Sequence, residues 1–147
     1  MYPSPLILDR HFFSKVEVNS HVDGNPKAIN LLNFQLELGK SPDNERLAQL
    51  ILKLKIDPPT DQKSTYTGEI HAVGLFRVAD NWPKEKIDEL IECHGASVLF
   101  AAVRELLLNI TSRGPWPPVL LSTFSFMPPK AKPVETSPKE TESAKTV

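Results

Sequence analysis

The stretch from about Ser97 to Arg113 constrains this chain more than any other. Read at 3.6 residues per turn, Val98, Leu99, Phe100, Ala101, Ala102, Val103, Leu106, Leu107, Leu108 and Ile110 cover nearly the whole circumference of a helix. Glu105, Asn109 and Ser112 leave only a narrow polar stripe. Gly114 supplies a stop for this helix and Pro115 forbids its continuation. A helix that is apolar on all sides must be covered on all sides.

The cover on one side comes from four segments that alternate with period two. Leu6, Leu8, Phe12, Val16 and Val18 share one face of the first, with Asp9, His11, Lys15, Glu17 and Asn19 on the other. Leu32, Phe34, Leu36 and Leu38 line the second, opposite Asn33, Gln35 and Glu37. Ala48, Leu50, Leu52, Leu54 and Ile56 line the third, and Tyr66, Ile70, Ala72, Phe76 and Val78 the fourth. Turn-forming runs at Asp23-Gly24-Asn25-Pro26, Ser41-Pro42-Asp43-Asn44 and Asp57-Pro58-Pro59 separate them. The expected fold is therefore α+β: a four-stranded antiparallel sheet with one wet and one dry face, followed by a short and a long helix. The short helix, capped by Asp80 or Asn81 with Pro83 in its first turn, carries Ile87, Leu90 and Ile91 and ends near Gly95. Val119 to Phe126 is short, apolar and extended.

A four-stranded sheet covers only one side of the long helix, and the rest of the chain offers no second layer. From Pro128 to Val147, Lys, Glu, Thr and Ser punctuated by Pro cannot offset the entropy of ordering, so that tail is expected to be disordered and the folded domain to span residues 1–127. The simplest remaining cover is another copy of the protein, with helices sandwiched between the sheets of different subunits.

Composition narrows the function. With a formal net charge of -1, there is no broad basic field for nucleic acid. No apolar run is long enough to span a bilayer, and the first residues lack the charged and apolar regions of a signal peptide. A single cysteine, Cys93, permits no internal disulfide and fits a reducing compartment, here the cytoplasm. His11, His21, His71 and His94 are scattered without metal-ligand spacing, and no glycine-rich phosphate loop occurs, so neither a metal nor another cofactor is expected. Cys93 beside His94 does not by itself arrange a nucleophile and base; a buried cysteine near a helix end accounts for it. Glu85, Asp88, Glu89 and Glu92 read as the solvated face of the short helix. Trp116-Pro117-Pro118 is either a rigid connector, with the indole folded back on the helix end, or one wall of an apolar groove. These residues alone describe an oligomeric α+β binding protein rather than an enzyme.

From Ser97 to Phe126 the chain resembles the SecB family. Leu99-Phe100, Arg104-Glu105, Ser112-Arg113-Gly114, Trp116-Pro117, Leu121 and Phe126 stand at the family's spacings. Ile91-Glu92-Cys93 is similar to the tripeptide that precedes this helix in many members, and Glu69-Ile70 with Gly74-Leu75-Phe76 is similar to the family's fourth strand. The resemblance implies a dimer of dimers, a homotetramer whose helices stack between sheets. It implies an ATP-independent holding chaperone that binds unfolded polypeptides, preproteins among them, and keeps them competent for export through the motor SecA.

Carried onto this sequence, the resemblance places client binding at Leu32, Phe34 and Leu36, faced by Trp116, Leu120 and Phe126. It places the oligomer interface on Leu99, Val103, Leu106, Leu107 and Ile110, and SecA docking at Glu69. The chain also departs from the family pattern. Ala101 and Ser125 replace the usual Pro and Asn, the loop from His21 to Ile29 is short, and the Pro/Lys/Glu tail stands where a second C-terminal helix is usual. The first strand offers Lys15, Val16 and Glu17 rather than a clear acidic companion for Glu69. Alternatives are a SecB-like chaperone uncoupled from SecA and dedicated to one partner such as an antitoxin, a small-molecule-binding or enzymatic domain using Cys93 and His94, and a purely structural oligomer.

Overall fold

The computed structural model describes residues 1–126, so the expected tail and the limit at residue 127 lie outside the described residues. Strands β1 (Leu6–Ser20), β2 (Leu31–Lys40), β3 (Leu47–Asp57) and β4 (Tyr66–Val78) form one antiparallel sheet in the order β1-β4-β3-β2. Alternation is cleanest on β3, whereas β4 also buries Val73 on its other face. Leu50, Leu52 and Leu54 on β3 and Ile70, Ala72 and Phe76 on β4 are buried beneath the helical layer. On β2, Leu32, Phe34, Leu36 and Leu38 stand opposite Ile56, Leu54, Leu52 and Leu50 and so share that face.

The first strand departs from simple alternation. Its pairing with β4 slips between Leu8 and Arg10 and again between Phe13 and Lys15, leaving Asp9 and Ser14 as extra residues. A one-residue slip exchanges the two faces of a strand. Phe12 therefore does not join Leu6 and Leu8; it pairs with Val73 on the outer face, with the Arg10 guanidinium 5.3 Å from its ring. Phe13 takes the inner position and packs against the core, and His11 lies beside it, ring to ring at 6.5 Å.

The helical layer is one continuous run rather than two helices. A 3-10 turn at Lys84–Lys86 leads into α1 (Ile87–Leu90), a π-helical turn at Ile91–Gly95, and α2 (Ala96–Thr111). Gly95 does not end a helix; it is right-handed at φ -63 and ψ -43. What it supplies is clearance, because a Cβ there would stand 3.1 Å from Leu50 Cδ2 and 3.3 Å from the Phe76 ring. Gly114 likewise has no positive φ, and α2 ends at Thr111, so the glycine is not a left-handed cap. A Cβ on Gly114 would stand 2.0 Å from the Tyr66 hydroxyl oxygen. The run begins at Pro83 without a side-chain cap from Asp80 or Asn81. Arg46 secures the approach instead, donating to the carbonyls of Ala79 at 2.6 Å and Trp82 at 2.9 Å.

Candidate functional site

After α2 the chain turns back and runs beside the helix over the β2 side of the sheet. Four hydrogen bonds fix this path. The Trp116 N–H donates to the Tyr66 hydroxyl at 3.2 Å, and its indole N–H donates to the His21 carbonyl at 2.8 Å. The Val119 N–H donates to the Thr111 hydroxyl at 2.9 Å, and Arg104 Nε donates to the Leu121 carbonyl at 2.8 Å. Trp116 is thus a half-buried anchor between the helix end and the first loop, which favours the connector over the groove wall. It does not line the cavity described next.

Between the returning segment and the start of β2 lies an open cavity of about 360 Å³. Leu32 and Ile56 form its apolar floor, Ala28 and Ile29 one side, and Pro118 and Leu120 the other. Leu120 is 61% exposed, so its side chain faces the opening. Further along, Phe34 on β2, Phe100 on α2, and Phe124 and Phe126 of the returning segment form one four-ring cluster. Phe34 lies 5.8 Å from Phe100, 5.0 Å from Phe124 and 6.2 Å from Phe126, centroid to centroid, mostly in edge-on geometry. Phe100 is buried, whereas Phe124 is 39% exposed. Leu36, the next inward-facing residue of β2, is 38% exposed and continues the apolar surface beyond the cluster. Leu32 with Leu120, and Phe34 with Phe126, are therefore brought together, and Leu36 extends the same side. The cluster also contains Phe100 and Phe124, which sequence reasoning had not assigned; the spacing of two between Phe124 and Phe126 in an extended segment was the available signal.

The outer face of the sheet is polar around Glu69. Glu69 accepts from Lys15 Nζ at 2.8 Å and contacts His71 Nε2 at 2.7 Å. Lys15 first, then His71, hold this carboxyl down at about 2. Glu69 in turn raises the Lys15 ammonium. Glu17, directly opposite Glu69 across the strands, is the acidic companion that the sequence did not reveal. Its proximity is offset by cations. Lys15 lies 3.9 Å from Glu17, Lys55 is the β3 partner of Glu69, and Lys53 bonds Glu37 at 2.7 Å. The patch alternates in sign rather than presenting an acidic field.

On α2, Leu99, Val103 and Leu107 are 0% exposed, packed against the chain's own sheet. They have no surface left for a partner, because the helical periodicity places these three on the same inward stripe as Ala96 and Phe100. Leu106 and Ile110 stay half-buried, and Val98, at 43% exposed, faces away from the sheet. Cys93 is buried, and burial, followed by Glu89 and Glu92, pushes its thiol up. That is opposite to the shift an activated nucleophile needs. No helix among the described residues is long and apolar enough to cross a membrane.

A family model described as preprotein translocase subunit SecB matches residues 16–128. The protein-export protein SecB of Psychrobacter arcticus is 26% identical over 98 residues, covering 64% of this chain and 66% of that protein. Its counterpart in Nitrosococcus oceani is 26% identical over 97 residues, covering 63% of this chain and 57% of that protein. The matches thus span less than two thirds of these relatives' length. Among solved structures, a Mycobacterium tuberculosis SecB-like chaperone in complex with a ChAD peptide from an antitoxin superposes with a TM-score of 0.67 at 15% identity. That superposition covers 82% of this chain and 91% of the other, a likeness of fold.

Proposed function

Since the chain belongs to the SecB family of chaperones, we propose that it is an ATP-independent holding chaperone that binds unfolded polypeptides. In this reading it keeps preproteins export-competent for the Sec pathway in the cytoplasm. The observation that carries it is the apolar groove on the helix side of β2, open at Leu36, Leu120 and Phe124. Binding without sequence preference needs continuous apolar surface and unpaired backbone within reach. The groove supplies the first, and β2, as an edge strand, supplies the second. Leu32, Phe34, Leu36 and Leu120 contact the client, Phe126 lies over Phe34, and Trp116 holds the far wall in place. A fully buried client side chain contributes about 1.5–3 kcal/mol before ordering costs. Several subsites on one assembly combine through effective concentration.

Assembly follows from the outer side of α2. Val98 and Ala101 are exposed and Leu108 is half-buried on the side of α2 away from the sheet, beside Glu105 and Asn109, while Leu106 and Ile110 stay half-buried on the flank towards it. A second copy covers the side away from the sheet in this reading, and a tetramer results. The test of holding is direct: the purified protein should suppress aggregation of an unrelated refolding polypeptide without nucleotide. Unchanged aggregation at a several-fold molar excess of chaperone would refute it.

A second reading, a chaperone uncoupled from SecA and dedicated to one partner such as an antitoxin, is favoured by the outer face. Glu69 and Glu17 are offset there by Lys15, Lys53 and Lys55. Exposed charge pairs contribute only about 0–1 kcal/mol each and are screened by salt. A surface of alternating sign therefore offers little steering to a basic partner. Weak binding to SecA at low salt supports the uncoupled reading, and tight, salt-sensitive binding supports export coupling.

A further inference from the structure

We propose that residues 122–126 occupy in the free protein the place that an extended client takes, so that Phe124 and Phe126 compete from within for the groove. The inference rests on the holding reading above and concerns how that groove is filled before a client arrives.

Three observations carry it. First, Phe124 and Phe126 stand two residues apart and both meet the same two rings, Phe34 and Phe100. That is how an extended chain presents alternate side chains to one surface. Second, the returning segment belongs to no helix or strand, and Val119 and Leu121, upstream of both rings, are bonded to α2. Leu121 is buried in the core, whereas Ser122, Thr123 and Phe124 are exposed. Exposure of the segment thus rises between Leu121 and Ser122. Third, the phenylalanines lie at the edge of the core along the groove: Phe124 is exposed, and Phe126 is half-buried against the core cluster. Phe34 is only half-buried even with both rings upon it, and Leu36 beside it remains open. A client aromatic side chain entering beside Leu36 meets Phe124 and Phe126 where it would otherwise meet Phe34.

The alternative role for these rings is a permanent wall that every client needs. The two roles predict opposite signs. If the rings compete, the apparent client affinity is the intrinsic affinity reduced by the fraction of molecules whose groove is open. Removing the rings then tightens binding. If they form a wall, removing them weakens it.

The experiment uses the full chain and its F124A/F126A variant. The probe is a fluorescently labelled, reduced and carboxymethylated protein that cannot refold, followed by anisotropy. The expected result is binding about tenfold tighter in the variant, which corresponds to a groove open in about one molecule in ten before substitution. Equal or weaker binding overturns the proposal. A synthetic peptide of residues 119–126 provides the second arm. It should bind the variant, while the same peptide with both phenylalanines replaced by serine should not; failure of the first peptide to bind overturns the proposal whatever the client does. If the peptide binds but neither protein binds the unfolded probe, self-occupancy stands and the holding reading fails. Should F124A/F126A not fold, F124A alone removes a ring that is already 39% exposed. It should tighten client binding about threefold, and a loss of affinity would overturn the proposal.

Discussion

Two substitutions on α2 should separate the fold from the assembly. Leu107 is 0% exposed within a single chain, and Val98 is 43% exposed on the opposite side of the same helix. Leu107→Glu forfeits the burial of a leucine, about 1.5–3 kcal/mol. It also leaves a buried carboxylate without a partner, at about 3–5 kcal/mol. Together these approach the whole stability of an ordinary domain, about 5–15 kcal/mol. Leu107→Glu should therefore unfold the chain or lower its melting temperature by about ten degrees or more, at roughly 2–4 °C per kcal/mol. Val98→Glu alters the isolated chain by no more than about 0.5 kcal/mol, as surface changes do. At an interface between α2 helices it would bury an unpaired carboxylate at about 3–5 kcal/mol. The association constant should then fall by roughly a hundredfold or more. Circular dichroism melts read the first effect, and sedimentation velocity at micromolar concentration reads the second. A Leu107→Glu protein that melts like the original but runs as a smaller species would refute the assignment of Leu107 to the intrachain core. A Val98→Glu protein of unchanged size and affinity would refute the outer face of α2 as the interface.

Other expectations follow from single contacts. Gly114→Ala puts a methyl group where the Tyr66 hydroxyl lies, 2.0 Å from the ideal Cβ, and should cost about 1–3 kcal/mol as the Tyr66–Trp116 tie shifts; an unchanged melt would contradict the crowding. Glu69 is held at about 2 against an ordinary 4.5, so its contribution to stability is complete above about pH 4.5 and is lost as the pH falls towards about 2. Glu69→Gln should flatten that part of the stability profile, and melts in acid that superpose with those of the original would count against the Lys15 pairing. Phe34→Asp should weaken client holding at least tenfold, about 1.4 kcal/mol, while Glu69→Lys leaves it unchanged. The reverse outcome, measured by aggregation suppression on proteins shown to assemble, would move the client site to the other side of the sheet.

Much of the fold is legible from periodicity alone. The run from Ala48 to Ile56 alternates with Ile51 as the one apolar residue on its other face, and the structure buries the face of Ala48, Leu50, Leu52, Leu54 and Ile56. β2 follows the same rule, β4 does so apart from Val73, which is buried on its other face, and the apolar residues of 97–113 called for a sheet on at least one side. The family relation was also readable: the resemblance carried by Leu99 to Phe126 agrees with the family model that matches residues 16–128. Leu32, Phe34 and Leu36 share a face by their period-two spacing, and the structure brings Leu120 and Phe126 beside it.

Tertiary pairing decided the rest. The bulges at Asp9 and Ser14 are properties of how β1 lies against β4, and no pattern within β1 reveals which residue goes unpaired. That slip sends Phe12 outward and Phe13 inward, and it brings Glu17 opposite Glu69. Gly95 and Gly114 look like helix stops because glycine commonly is one. Their actual role is to make room for Leu50, Phe76 and Tyr66, neighbours distant in sequence that only packing supplies. Likewise, an all-apolar helix does not tell which of its faces meets the chain's own sheet; the packing of Leu99, Val103 and Leu107 decided that. Local periodicity determines which side chains must leave water. Which neighbours they leave it for depends on strand register and on the few positions where two backbones can approach closely enough.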